Sequence, residues 1–229
     1  MPSTKKSLHF ISSAAVTAIS VGVLGFCMST QWAFTSMECT SVGDDFTNGT
    51  ADMTWDLFDV FLDRNFCPSF GGDDKFQVIA KLAEIEVASA ALYGLVLCLL
   101  ALCLLFSACS ILISLYNSVS NPYETYMGPI GLYVCSSLSA CLSIVVLILF
   151  VVNITTTSMA EDLVKSFHKD AELRNKTTKL RLGYYLTILY TVLSLFAIAL
   201  IYMYDHAAYT HRREQQRPTE DAPKEIMMY

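Results

Sequence analysis

Residues 87–123 read VASAALYGLVLCLLALCLLFSACSILISLYNSVSNPY and contain no Asp, Glu, Lys or Arg. A hydrocarbon core about 30 Å thick is crossed by about 20 apolar residues of helix, so this stretch is long enough to span a membrane. Three further stretches, at 7–37, 125–160 and 182–204, are equally free of charge. One charge at the centre of a membrane helix costs about 2.5–3.5 kcal/mol, which explains their composition. The sequence therefore predicts four membrane-spanning helices.

The predicted fold is an all-α membrane protein, a four-transmembrane-helix bundle with spans at 8–29, 87–115, 129–153 and 184–204. The other segments are a cytosolic amino terminus at 1–7, a first extracellular loop at 30–86, a cytosolic loop at 116–128, a second extracellular loop at 154–183 and a disordered cytosolic tail at 205–229. The composition is 54% hydrophobic and 16% charged, against roughly 25% charged in soluble domains. The net charge of −6 disfavours nucleic acid as a partner, because phosphate binding needs a basic surface. The lipid bilayer is the first expected partner.

The first apolar run follows Lys5 and Lys6 and has a cleaved signal peptide as its alternative reading, with cleavage after Ser29. The run is longer than the usual signal-peptide core of roughly 7–15 residues. We therefore predict that it is retained as the first span.

Glycosylation motifs determine the predicted orientation. Asn-x-Ser/Thr acceptors begin at Asn48, Asn153 and Asn175, and all three fall on the same side of a four-span chain. Such motifs are modified only in the lumen, so both termini of a multi-pass plasma-membrane protein are expected in the cytosol. Asn48 and Asn175 are the expected sites, because Asn153 lies too near the bilayer. Each motif alone also arises by chance, and the count of Lys and Arg near the spans leans slightly the other way.

Two of the eight cysteines lie outside the predicted spans, and both, Cys39 and Cys67, are in the first loop. A disulfide between them contributes about 3 kcal/mol in an oxidising compartment, and free thiols are the alternative. The other six lie in the spans, where a thiol is a small packing group or, near a membrane edge, a palmitoylation site. The four histidines are scattered, so no zinc site and no cofactor are expected.

The first loop is predicted to be an ordered, β-rich domain. Residues 31–42 alternate loosely between apolar and polar side chains, as in a strand, and a second apolar cluster runs from Trp55 to Phe66. We expect a small sheet, pinned by the disulfide, over the helix ends. Trp32 belongs either to this domain or to an interfacial anchor. A solvated acidic surface is favoured over a calcium site, because no calcium-loop spacing relates Asp52, Asp56, Asp59 and Asp63.

Small residues at four-residue spacing predict close packing of helices, because they let backbones approach. The stripes are Ala14, Ala18 and Gly22 in the first span, and Ser136 with Ala140 and Ser139 with Ser143 in the third. Packing inside the bundle is expected, and lateral self-association is the alternative. After the third span, helical spacing predicts an extramembrane helical extension through Met159, Leu163 and Phe167.

The loop between the second and third spans carries the most specific motif. Residues 121–133 read NPYETYMGPIGLY, where Asn-Pro makes a turn and Gly-Pro starts a helix. The block resembles the clarin family signature at Asn121, Pro122, Thr125, Gly128, Pro129, Gly131 and Tyr133. The first six residues and the arrangement of spans are also similar to clarins, and residues 214–218 are most similar to the third paralogue. One departure is Trp55-Asp56-Leu57-Phe58, where clarins usually carry Tyr-Gly-Leu-Phe.

The resemblance implies a claudin-like tetraspan protein without enzymatic activity. Clarins are known as organisers of hair-cell and photoreceptor membranes, which implies that the first loop meets extracellular or membrane proteins. The chain ends Met227-Met228-Tyr229, and the spacing of Met227 and Tyr229 fits a PDZ groove. Clarins share this apolar–x–aromatic ending. The implied cytoplasmic partner is therefore a PDZ scaffold linked to actin.

The favoured function is a non-enzymatic four-pass membrane organiser and adhesion scaffold. The alternative is an auxiliary subunit that regulates the trafficking or gating of a channel or another membrane protein. A transporter, channel or enzyme is disfavoured, because intramembrane charges normally mark ion paths and the four spans contain no Asp, Glu, Lys or Arg. The sequence shows no nucleophile–base pairing and no phosphate-binding loop.

Overall fold

The structure, a computed structural model, describes residues 4–41, 49–65, 72–119, 129–167 and 171–216. The helices over these residues are α1 (Thr4–Met28), α2 (Val78–Ile85), α3 (Val87–Val119), α4 (Pro129–Thr156), α5 (Met159–Phe167) and α6 (Leu182–Gln216). The strands are β1 (Ala33–Ser41), β2 (Gly49–Trp55), β3 (Asp59–Asn65), β4 (Gly72–Gln77) and β5 (Ala171–Leu180).

Four helices are long and apolar enough to cross a membrane, which confirms the predicted bundle. Their apolar segments are Ser7–Met28, Val87–Val119, Ile130–Thr156 and Leu182–Ala207. α6 continues past the last segment to Gln216, so the tail predicted to be disordered from Asp205 is helical over this part. Residues 205–216 contain no Gly or Pro. They extend a helix that is already nucleated, so each added residue gains a backbone hydrogen bond without a further nucleation cost.

The inside of the bundle contains many hydroxyl-bearing residues beside apolar ones, and the exposed positions of the spans are mostly large and apolar. α1 packs against α3 and α6, and α4 packs against the same two helices. The buried positions of α1 recur at alternating spacings of three and four, which is the geometry of a left-handed bundle: Phe10, Ser13, Thr17, Ser20, Leu24 and Cys27. The same spacing occurs on α3 at Ser107, Ser110 and Ser114.

The small-residue stripe of the first span does not pack inside the bundle as a whole. Ala14 is buried, but Ala18 and Gly22 are exposed, and no atom lies within 4 Å of a Cβ built on Gly22. The inward face of α1 instead carries hydroxyls: Oγ of Ser13 donates to the carbonyl oxygen of Ala197 on α6, while the hydroxyls of Thr17 and Ser20 donate to carbonyl oxygens of α1 itself. In the third span the prediction is correct, since the stripe residues are all buried: Ser136, Ser139, Ala140 and Ser143.

Both loops contribute to one five-stranded antiparallel sheet with the order β4-β3-β2-β1-β5. The sequence predicts strands only in the first loop, but β5 comes from the second and pairs with β1 from Ala33↔Leu180 to Ser41↔Ala171. The register shifts between Ser36 and Glu38. Asn175 adopts a left-handed φ of 55° at this irregularity, a conformation that Asn tolerates better than most residues. The helical extension predicted after the third span is α5.

The inner face of the sheet and the ends of the helices share one hydrophobic core. This core includes Trp55, Val60 and Leu62 from the sheet and Leu100 and Phe150 from the bundle. Trp32 is fully buried, and its ring centroid lies 4.9 Å from that of Phe150. Trp32 therefore belongs to the junction between sheet and bundle rather than to an interfacial anchor.

Candidate functional site

Three aromatic side chains fix the sheet onto the bundle. The Nε1 of Trp32 donates to the carbonyl oxygen of Cys27 at 3.0 Å, at the end of α1. The Nε1 of Trp55 donates to Oγ1 of Thr35 at 3.2 Å, which ties β2 to β1. The hydroxyl of Tyr93, on α3, donates to the carbonyl oxygens of Asp56 and Leu57 at 3.1 Å each. Since all three aromatic residues are fully buried, the sheet has a fixed place on the bundle.

These contacts hold the outer face of the sheet in a fixed place. β2 and β3 alternate between buried and more accessible residues, so one set of side chains enters the core and the other faces away from it. Phe61 on the outer face is 48% exposed, and Phe58 in the turn before β3 is 53% exposed. Exposed aromatic residues are typical anchors of protein interfaces.

Three aspartates lie directly opposite one another on the outer face, where Asp63 pairs with Asp52 on one side and with Asp73 on the other. Like charges in opposite positions destabilise a sheet. Desolvation raises the pKa of Asp63, and the charges of Asp73 and Asp52 raise it further. The Oδ1 atom of Asp52 is buried and has no hydrogen-bond partner. These side chains form what we call the aspartate ladder, defined as Asp52, Asp63 and Asp73.

Acidic and basic side chains are concentrated on opposite sides of the sheet. The β4 and β3 side also carries the ion pairs Lys75–Asp59, at 3.1 Å, and Arg64–Asp74. The opposite edge of the sheet is basic, with Arg174, Lys176, Lys179 and Arg181 on or just after β5. Among the described residues no group of His, Cys, Asp or Glu has the geometry to hold a metal ion. This face can therefore recognise a partner by charge pattern and aromatic contact.

The structure places the predicted disulfide and glycosylation residues unevenly. Cys39 is buried in β1 and disulfide-bonded, while Cys67 lies outside the described residues, so their pairing stays a prediction. Asn175 is exposed on β5, and its Nδ2 donates to Oε2 of Glu38 at 2.7 Å. Asn48 also lies outside the described residues. Asn153 is 1% exposed within α4, which agrees with its predicted lack of modification.

The signature motif meets the described structure only at its end. Pro129 is the first residue of α4, as expected for proline, which needs no amide hydrogen there. Gly131 and Tyr133 follow in the first turns of α4. Asn121, Pro122, Thr125 and Gly128 lie outside the described residues, as do the tail residues Met227 and Tyr229.

A polar cluster inside the bundle escaped prediction. The hydroxyl of Tyr190 hydrogen-bonds with Oγ of Ser107 at 2.7 Å and also with Ser139, which joins α6, α3 and α4. Oγ of Ser143 lies 2.8 Å from Oγ1 of Thr191. The alternating spacing of Ser and Thr within charge-free spans is the signal that identifies such a face. These contacts are buried and hydrogen-bonded, which is the pattern of interhelical packing.

Comparison with known proteins agrees with this architecture. No family model matches the chain. Clarin-3 from Rattus norvegicus is 31% identical over 231 residues, and Clarin-3 from Mus musculus is 30% identical over 230 residues. Clarin-3 from Homo sapiens is 29% identical over 233 residues. Each comparison covers 100% of both chains.

The chain belongs to the clarin family. This confirms the family predicted from the signature motif, although much of that motif lies outside the described residues. The clarin chain has four membrane helices and a small antiparallel sheet built mainly between the first and second spans, which is a claudin-like tetraspan arrangement. It is therefore a multi-pass membrane protein that contacts the lipid bilayer.

Proposed function

We propose that this clarin-family chain is a non-enzymatic organiser of the plasma membrane. Its sheet meets protein partners outside the cell, and its carboxyl-terminal tail binds a PDZ scaffold linked to actin. The observation that carries the proposal is the sheet itself, which rests on three fully buried aromatic residues, Trp32, Trp55 and Tyr93. A rigid platform with an exposed face suits binding, because little conformational entropy is lost on association.

The composition of the outer face supports a protein partner. Phe58 and Phe61 expose aromatic rings in the turn before β3 and on β3, the central strand of the aspartate ladder, while the basic edge at β5 lies across the sheet. Charge separated in this way orients an approaching partner, and aromatic anchors supply the contact energy. Both sheet edges carry charged residues, which protects edge strands from unspecific pairing.

The interior of the described bundle supports a role other than transport. The buried positions that face other helices carry neutral groups, and the hydroxyls of Ser107, Ser139 and Tyr190 satisfy one another. Transport paths and proton relays normally use charged side chains in the membrane. We therefore place the function at the sheet and the tail.

Replacing Phe61 by Ser tests the outer half of the proposal. Crosslinking in native membranes, followed by identification of neighbours, should recover partners with the wild-type chain and lose them with Phe61→Ser. The control is Ile79→Ser, at a comparably exposed apolar residue, 42% against 48%, on α2 rather than on the sheet. Equal recovery with all three chains would reject the outer face as the binding surface. Recovery of one polytopic protein in stoichiometric amount would instead favour an auxiliary subunit.

Deleting Met227–Tyr229 tests the cytoplasmic half. PDZ grooves hold the terminal carboxylate and read the last side chain and the one two residues earlier. The deletion should therefore abolish pull-down of a PDZ scaffold, whereas Met228→Ala, at the intervening position, should leave it unchanged. Unchanged recovery after the deletion would exclude this tail as the ligand.

A further inference from the structure

A groove of about 480 Å³ opens where the sheet meets the bundle. It lies apart from the aspartate ladder and from the exposed Phe61. Its lining consists of Ser29, Thr30, Gln31, Asp56, Arg181 and Leu182. Two of these side chains are charged, and their charges are opposite.

The groove lies at the level where the helices leave the membrane. α1 ends its apolar segment at Met28, and α6 begins its own at Leu182, so residues 29–31 and 181–182 lie at that boundary. The carbonyl of Asp56 accepts a hydrogen bond from Tyr93, which lies within the apolar segment of α3. Lipid headgroups occupy this zone of a bilayer.

Strand geometry sets the separation between the two charges. Trp55 and Leu180 both pair with Ala33, on opposite sides of β1. Asp56 and Arg181 are the next residues, so two strand spacings, about 10 Å, separate their backbones.

Neither Asp56 nor Arg181 forms an ion pair within the described part of the chain. The guanidinium carbon of Arg181 lies 5.1 Å from the ring centroid of Phe34, and Arg181 takes part in none of the ion pairs found there. The Oδ1 atom of Asp56 is buried without a hydrogen-bond partner. Burial raises the pKa of Asp56, Asp59 raises it further and Lys75 opposes the shift. A cation placed at Asp56 would relieve this unfavourable position.

We propose that the groove binds the headgroup of a phospholipid that carries a phosphodiester and a primary ammonium, as in phosphatidylethanolamine. Arg181 holds the phosphate, because a guanidinium donates two parallel hydrogen bonds to phosphate oxygens. Asp56 accepts hydrogen bonds from the ammonium. The acyl chains run along apolar side chains just inside the boundary, where Phe26, Leu182 and Tyr185 are exposed.

The chemistry of the groove favours a phosphoethanolamine headgroup over a quaternary ammonium headgroup, an anionic headgroup without an amine and a free phosphoester. A quaternary ammonium has no N–H to donate and is usually held by aromatic faces, yet the described residues that line this groove include no aromatic side chain. An anionic headgroup without an amine would meet the carboxylate of Asp56 unfavourably. A free phosphoester would lack the apolar contacts below the groove.

Native mass spectrometry of the full chain tests the site. The protein is exposed to equimolar phosphatidylethanolamine, phosphatidylcholine and phosphatidylglycerol in mixed micelles, and the retained lipid is counted. The wild type should retain phosphatidylethanolamine over phosphatidylglycerol by about tenfold, the value of one charge-assisted hydrogen bond. Asp56→Asn should remove that preference, and Asp56→Glu should restore part of it. Arg181→Gln should reduce the retention of all three lipids.

Matched controls distinguish binding in the groove from a general effect of surface charge on lipid retention. Asp63→Asn and Lys179→Gln remove the same charges from the outer face, away from the groove, and should keep the wild-type pattern. Equal retention of the three lipids by the wild type, or an Asp63→Asn effect as large as that of Asp56→Asn, would overturn the proposal. Displacement by soluble phosphoethanolamine at the lipid's concentration would also overturn it, because the ligand would then be a free phosphoester.

Discussion

At the scale of single residues, Gly183 and Trp32 determine how β5 passes into α6. A Cβ on Gly183 would lie 2.6 Å from Cδ1 and 2.8 Å from Nε1 of Trp32. The amide of Gly183 donates to the carbonyl oxygen of Gln31 at 2.8 Å. Only glycine lets the backbone of α6 approach the indole this closely. Nothing in the sequence pattern marks Gly183 for such a role.

Replacing Gly183 by Ala should lower the free energy of unfolding by about 1–3 kcal/mol, because the fully buried indole of Trp32 has no space into which to move. The measurement is thermal unfolding in detergent, followed by the fluorescence of Trp32 and Trp55, which are both buried. Gly22→Ala is the control, since nothing lies within 4 Å of its Cβ position. That change should leave stability unchanged or raise it by up to about 1 kcal/mol. Similar losses for both variants would contradict the packing argument.

At the scale of secondary structure, local pattern predicted the elements whose faces differ in polarity. The four spans, the strand at β1 and the helix α5 each have a clear apolar run or period. β5 reads AELRNKTTKL, with few apolar residues and no regular alternation, so nothing local marks it as a strand. It becomes one because β1 offers backbone hydrogen-bonding groups along its free edge, which is a long-range effect.

The aspartate ladder gives an element-scale prediction about pH. The pKa of Asp63 is raised in the folded chain, so the folded state binds this proton more tightly than the unfolded state. The sheet should therefore gain stability as the pH falls from about 7 toward the ordinary carboxyl value near 4. Asp63→Asn should raise the free energy of unfolding at neutral pH by about 0.5 kcal/mol per like-charged pair removed. The unfolding temperature should rise with it, and the pH dependence should flatten.

Asp74→Asn is the control for the ladder, because it removes a neighbouring aspartate that pairs with Arg64. It should lower the unfolding temperature at neutral pH. The measurement is the unfolding temperature of the wild type, Asp63→Asn and Asp74→Asn at several pH values. If Asp63→Asn left the pH profile unchanged, the ladder would not lower the free energy of unfolding, and the prediction would be wrong.

At the scale of the whole molecule, both loops that join the sheet lie on the same side of the membrane. Two spans, in α3 and α4, lie between the two loops, and the pairing of β1 with β5 requires the same arrangement. The bundle and the sheet then share one core, so neither is an independent unit. The choice between the two orientations in the membrane depends on the glycosylation motifs.

Glycosidase treatment of the chain from native membranes tests that orientation. Asn48→Gln and Asn175→Gln should each remove one glycosidase-sensitive shift in mobility, because both motifs are expected in the lumen during synthesis. Asn153→Gln is the control and should change nothing, since Asn153 is 1% exposed inside α4. A wild-type chain that does not shift, or a loss of shift only with Asn153→Gln, would contradict the proposed orientation.

The number of spans follows from the amino-acid sequence alone, because charge is excluded from the hydrocarbon core wherever a helix crosses it. The clarin family is also recognisable from the sequence, through the motif at residues 121–133 and the arrangement of the four spans. Only the tertiary structure decided that β5 completes the sheet, that Gly22 faces away from the bundle, and that Asp56 and Arg181 line one groove. Those features depend on register and on contacts between distant segments, and no local composition or period encodes them.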